Sequence, residues 1–188
     1  MNRCLSILLF AITCLSACND NYIQLEKADA KKQIENYYKE HPDKLIGNTA
    51  FEAVIKGKDS GNNNIMFRLY INAGLLKRKE IKPNADSIYI YEVTEAGKPY
   101  LLKTSVSKNG YPILVIKTFD YYIAEITGIK YSPGKKEAAV YFTESINNLT
   151  PFGKEAADPA HKRYLIGFFR LDNNNWKFQR IEVDVDKY

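Results

Sequence analysis

Cysteine is nearly absent where a structural role would need it. The chain has three, Cys4, Cys14 and Cys18, and none follows. Beyond that point a disulfide framework, a thiolate metal site and a cysteine nucleophile are all excluded. Histidine is as scarce: His41 precedes a proline and His161 follows Asp158-Pro159-Ala160, and neither has the spacing of a zinc motif. No G-x-S-x-G elbow offers a serine nucleophile. No catalytic residue, metal ligand or cofactor site is therefore assigned. Neither charge is in large excess, with 27 Lys and Arg against 22 Asp and Glu for a net +5, so nucleic acid is not the expected partner. Long apolar runs are missing too: the stretch at residues 5–12 falls short of the roughly 20 residues that a membrane-spanning helix needs.

What is present is an ordinary globular composition, 45% hydrophobic and 26% charged, which excludes a disordered or collagen-like chain. Its 14 Tyr and 9 Phe can fill a core that has no covalent cross-link. Arg3 and the apolar residues from Leu5 to Ile12 follow the grammar of a secretory signal. Next comes Leu15-Ser16-Ala17-Cys18, an aliphatic residue, two small residues and a cysteine. This box resembles that of the bacterial lipoproteins, and the resemblance covers the leader alone. It implies that residues 1–17 are a cleaved signal peptide, that Cys18 is lipidated, and that residues 18–21 form the anchor. Acyl chains of the palmitate kind would then hold the protein to the membrane, each buried CH₂ contributing about 0.8 kcal/mol. Asn19, in place of an Asp retention signal, points to the outer membrane of a two-membraned bacterium.

The rest of the chain predicts an α+β fold: N-terminal helices followed by a predominantly antiparallel β-sheet meander. Residues 22–118 are the helix-rich part with a β-hairpin, and residues 119–188 are the antiparallel sheet. Ile23, Ala30, Ile34, Tyr37 and Tyr38 lie on one helical face before His41-Pro42 ends the helix. Thr49 and Glu52 have capping-box spacing for a second helix over 50–58. After the polar turn at 59–63, Ile65, Leu69 and Ala73 mark a third, closed by Gly74 as a left-handed cap. Beyond Pro83 the period becomes that of strands, at 87–94, 100–106, 111–118, 119–131, 137–145, 163–171 and 176–185, with Lys108-Asn109-Gly110 as a hairpin turn. In the last run Trp176 and Phe178 share one parity and Ile181 and Val183 the other, which places a bulge near Gln179 or Arg180.

Two further resemblances concern fold. Residues 49–101, with Ala73-Gly74-Leu75-Leu76 and Tyr91-Glu92-Val93-Thr94, resemble a winged-helix module. That family implies DNA binding, yet the helix carries only Arg68, with Lys77-Arg78-Lys79 beyond its end, and an export signal leads away from the chromosome. Residues 119–185 are similar in layout to cystatin-like domains, in which a curled antiparallel sheet wraps a helix; fold alone does not carry function.

Among polar candidates, Glu125 and Glu144 could face one another across the Pro133-Gly134 turn, although strand alternation favours solvent for both. Asn148-Leu149-Thr150 matches a glycosylation sequon and reads as loop chemistry. Aromatic residues crowd the meander on both parities, so one sheet face shows tyrosines unless a helix covers it. The function expected is a lipid-anchored, non-catalytic envelope protein that binds a partner protein through its C-terminal sheet or the loop 147–161. Phe152, Tyr141 and Tyr164 are the candidate partner-binding residues. Two alternatives stay open: a small-molecule pocket protein or enzyme in a curled sheet using Glu125, Glu144 or His161, and an immunity-type inhibitor of a secreted toxin.

Overall fold

A single strand of twenty residues organises the molecule. The computed structural model describes residues 22–56, 65–81 and 88–187. The signal and lipid box, the turn at 59–63 and Pro83 lie outside the described residues. In chain order the elements are α1 (Lys27–Glu40), β1 (Ile46–Glu52), β2 (Val54–Lys56), α2 (Ile65–Asn72), β3 (Leu76–Glu80), β4 (Ile88–Val93), β5 (Leu101–Val106), β6 (Pro112–Tyr131), β7 (Glu137–Asn147), α3 (Pro151–Ala156), β8 (Lys162–Asp172) and β9 (Asn175–Val183). The fold is mixed helix and strand, mostly antiparallel sheet, as the sequence predicts. Helices are not confined to the start, because α3 sits between β7 and β8.

The two strands expected at 111–118 and 119–131 are one, β6. The larger sheet runs β1-β6-β7-β8-β9, and β5 also pairs with β6. Both β1 and β5 pair with residues 114–116, so they occupy opposite edges of β6; β7 then takes residues 120–131 on the β5 side. Register shifts at Ile123/Glu125 and Ile126/Gly128 bend β6 and curl the sheet. A smaller sheet, β2-β4-β3, stands beside its first half. The expected bulge in β9 is present: Phe168 pairs with Arg180 and Phe169 with Phe178, leaving Gln179 extra.

The helix expected over 50–58 is instead extended through Lys56. Phe51 and Ala53 are buried at alternate positions, and β1 gains a seven-residue ladder against β6 that a capped helix would forfeit. Two cores result. In one, α1 lays Ala30, Ile34 and Tyr38, four residues apart, onto Ile126, Val140, Phe142, Leu165 and Phe169. In the other, Phe51, Phe67, Tyr70, Tyr91 and Phe152 stack and tilt against one another, with Phe67 and Tyr91 centroids 4.2 Å apart. Gly74 closes α2 at φ 71°, the left-handed cap its sequence called for.

Candidate functional site

The C-terminal sheet has two unlike faces, set by strand alternation. Directly opposed residues of antiparallel strands share a face. Ile123, Val140, Phe142 and Leu165 point toward α1 and are buried. The opposite face assembles from Tyr122 beside Ser145, from Glu125, Thr143 and Tyr164, from Gly128, Tyr141 and Ile166, and from Lys130, Ala139 and Phe168. Helix α1 lies on the other side, and the short helical turn Val185–Lys187 borders this face beside Tyr164. Tyr122 is 45% exposed, and Tyr141, Tyr164, Ile166 and Phe168 are half-buried. Cations flank the rings: Lys130 Nζ is 4.8 Å from the Tyr141 centroid, and the Arg180 guanidinium is 4.1 Å from that of Phe168.

Tyr141 and Tyr164, both expected as partner-binding residues, therefore meet on one face. Phe152 does not join them. It is fully buried in the aromatic core, 4.8 Å from the Tyr70 ring and 6.3 Å from that of Tyr100. The cause is local. Residues 117–119 of β6 lie between the stretches paired by β5 and β7, and Thr150 fills that gap. Its backbone N–H donates to the Thr118 carbonyl at 2.9 Å, and its hydroxyl lies 2.9 Å from the carbonyls of Lys117 and Thr118. The same oxygen accepts from Gly153 N–H at 3.1 Å, capping α3 with Pro151 in its first turn. At Gly153 a Cβ would stand 2.0 Å from the Thr118 oxygen, so only glycine allows this approach. The turn thus thrusts Phe152 inward. The sequon residue Asn148 sits in the adjoining turn at φ 48°.

Glu125 and Glu144 do not form a pair. Glu125 is exposed on the outer face opposite Thr143, whereas Glu144 is opposite Ile123 and fully buried on the inner one, against the expectation of solvent for both. The reason is Arg163, its cross-strand partner on β8, whose Nε donates to Oε2 at 2.8 Å and whose Nη2 donates to the same oxygen. Nη2 also donates to the Lys44 carbonyl at 3.1 Å, and the guanidinium lies 3.7 Å from the Tyr121 ring centroid. Burial, and next to it the Glu144 charge, hold the Tyr38 hydroxyl well above the ordinary tyrosine range. Beside this cluster is a cavity of about 160 Å³. It falls below the roughly 300 Å³ at which small-molecule pockets begin.

The histidines contribute no chemistry to this cluster. His41 stacks on Tyr37 at 4.3 Å and its Nδ1 is 2.9 Å from the Tyr37 carbonyl, at the exposed end of α1. His161 is exposed, 6.4 Å from the Tyr121 ring. No cluster of three or more metal-ligating side chains occurs among the described residues. None of their helices is long and apolar enough to cross a membrane. No protein-family model, curated protein or solved structure matches the chain.

Proposed function

We propose that this chain is a non-catalytic protein of the cell envelope, held to the outer membrane of a two-membraned bacterium by acyl chains on Cys18, and that it binds a partner protein through the outer face of its C-terminal sheet. The observation that carries this is the uncovered face itself, a row of tyrosines beside Ile166 and Phe168. Such rings supply contact area at small entropic cost. On the other side α1 fills the curl of the sheet, and the cavity beside Arg163 there is about 160 Å³.

The path of the chain suits an anchor. Tyr22 packs edge-on against Tyr131 at 5.2 Å, Lys135 Nζ lies 4.2 Å from the Tyr22 ring, and Trp176 Nε1 donates to the Ile23 carbonyl at 2.9 Å. The chain thus enters the domain at the β6–β7 turn. Residues 18 to 22 span at most about 14 Å fully extended, which would keep that turn near the bilayer surface. Photo-crosslinking residues placed at Tyr122 and Tyr164 should trap a single envelope protein in living cells, while one at Lys79 on β3 should trap none. Adducts from Lys79 with silence at Tyr122 and Tyr164 would move the working surface to the smaller sheet.

A further inference from the structure

The larger sheet ends on β9, so one side of that strand has no neighbouring strand among the described residues. Along its first part a side chain stands in for one. Gln33 of α1 donates through Nε2 to the Trp176 carbonyl at 3.0 Å and accepts from the Phe178 N–H at 2.9 Å through Oε1. The main-chain groups of Trp176 and Phe178 on that side therefore point away from β8 and are satisfied. The bulge at Gln179 then shifts the parity. Asp184 N–H donates to the Tyr164 carbonyl at 2.9 Å, which turns its main chain toward β8; by alternation Glu182 faces the same way, and Ile181 and Val183 face outward. Among the described residues no strand or side chain bonds the main-chain groups of Ile181 and Val183 on that side. Prolines and lysines, which commonly block open edges, are absent from Ile181-Glu182-Val183.

The open stretch lies beside the cavity of about 160 Å³, whose lining includes Ile181, Leu165, Tyr37 and Tyr38. Val183 is opposite Leu165 and Ile181 opposite Gly167, so both side chains share the inner face with the cavity. A strand paired to them would set every second side chain on that face. The cavity has room for one side chain, and its walls of rings and aliphatic carbons suit an apolar one. The two cations of its lining differ: Glu144 neutralises Arg163, whereas Lys44 is exposed and forms no ion pair among the described residues. N–H and C=O groups repeating at strand spacing are complemented by another extended main chain, and a small molecule offers no such repeat.

We infer that the edge of β9 past its bulge takes up an extended segment of a partner protein as an added strand, with an apolar side chain of that segment in the cavity and an acidic one beside Lys44. This goes beyond the outer-face contact proposed above and does not rest on it. The probe is the blocked peptide acetyl-Thr-Asp-Thr-Leu-Thr-Asp-Thr-amide, which sets Leu between two Asp on one face in either chain direction. Titrated into the isotope-labelled full chain in detergent micelles, it should bind with a Kd on the order of 0.1–1 mM and slow amide hydrogen exchange at Ile181 and Val183. Ala in place of its Leu should weaken binding about tenfold. Lys44→Gln should weaken it about threefold, as loss of a surface ion pair does. Val183→Pro removes an N–H that faces away from β8, so it should abolish binding while the domain stays folded. Glu182→Pro deletes a ladder bond to β8 and should lower the melting temperature steeply. Methylating the amide nitrogen of the peptide's Leu, or that of the Thr after it, should abolish binding in one case and spare it in the other, because only alternate amides face β9. The inference fails if the peptide does not bind at about 5 mM, or if it protects amides other than those of Ile181 and Val183. It also fails if both methylated peptides bind equally, or if Glu182→Pro is as stable as the native chain. A dimer in sedimentation that Val183→Pro dissociates would make a second copy of the chain the occupant and overturn it too. Should Val183→Pro not fold, the methylated pair decides on the native chain. Crosslinking at Tyr122 and Tyr164 reports on the outer face separately.

Discussion

The two halves of β6 are buried in opposite styles. From residue 113 to 120 no side chain is exposed: β1 and β5 flank the strand, the small sheet and α2 close over it, and α3 seals the gap at Thr118. From residue 121 to 131 the strand keeps one face under α1 and turns Tyr122, Ala124, Glu125, Thr127 and Lys130 outward. Many short segments enclose the first half, whereas one helix covers a single side of the second. Substitutions around the first half should therefore be read in stability, and those on the bare side of the second in binding.

The sharpest way to break this contrast is Phe152→Ala. The ring is fully buried between Tyr70 and Tyr100 and is the apolar contribution of α3 to the aromatic core. Its loss should cost about 3–5 kcal/mol, enough to unfold a marginal domain. Urea unfolding followed by circular dichroism measures it; a change below about 1 kcal/mol would return Phe152 to the surface role its sequence context suggested.

In the second half the inner side carries a charge as well as apolar groups. Glu144→Ala would leave the Arg163 guanidinium facing a buried void. Because Arg163 keeps 28% of its side chain exposed, water would offset part of the penalty, and a loss of about 2–3 kcal/mol is expected. Glu125→Ala, two residues beyond the Glu144 partner Ile123 and turned to the other face by the bulge between them, should be near neutral by the same melt.

Alkaline pH probes the first half again. Burial, and then the charge of Glu155, push the Tyr70 hydroxyl up to about 12. Its folded value lies above the unfolded value of about 10, so the neutral form favours the fold. That contribution is complete below pH 10 and is lost as the pH climbs toward 12, by about 2–3 kcal/mol. Among the described residues the Tyr70 hydroxyl has no hydrogen-bond partner, so Tyr70→Phe should fold as well at neutral pH and unfold less steeply above pH 10. Equal alkaline limbs for the two proteins would show that Tyr70 ionises as readily folded as unfolded.

Much of this was legible because it is local. The 3.6-residue spacing of Ala30, Ile34 and Tyr38, the Asn109-Gly110 turn, Gly74 and the parity break at Gln179 each lie within a few residues. What escaped is what depends on distant partners. Thr49 and Glu52 match a helix cap, and only the ladder offered by β6 makes them strand. Glu144 looks like a surface acid until Arg163 arrives from β8. Phe152 lies in a stretch with loop composition, and nothing near it in sequence announces that Thr150 will dock into an unpaired edge of β6. For the candidate site, Tyr141 and Tyr164 were visible as aromatic residues. Their meeting on one face follows only from the pairing of Thr143 with Tyr164.

The smallest effect on stability should come from the outer face, and adjacent residues of β8 allow it to be isolated. Leu165 is buried against α1, and Ile166, next in sequence, is half-buried on the opposite side beside Tyr141. Both lie in the middle of the same strand, so Thr suits the backbone at either position. Leu165→Thr places a hydroxyl among Phe142 and its neighbours and should cost about 2–4 kcal/mol. Ile166→Thr loses only part of a side chain that water already reaches, and should cost less than about 1 kcal/mol. In the crosslinking experiment the order should invert: at equal folded protein, Ile166→Thr should reduce adducts from Tyr164, because it removes apolar area from the centre of the contact. If Ile166→Thr destabilises as much as Leu165→Thr, then something covers the outer face in solution, and the bare side of β6 is a second core.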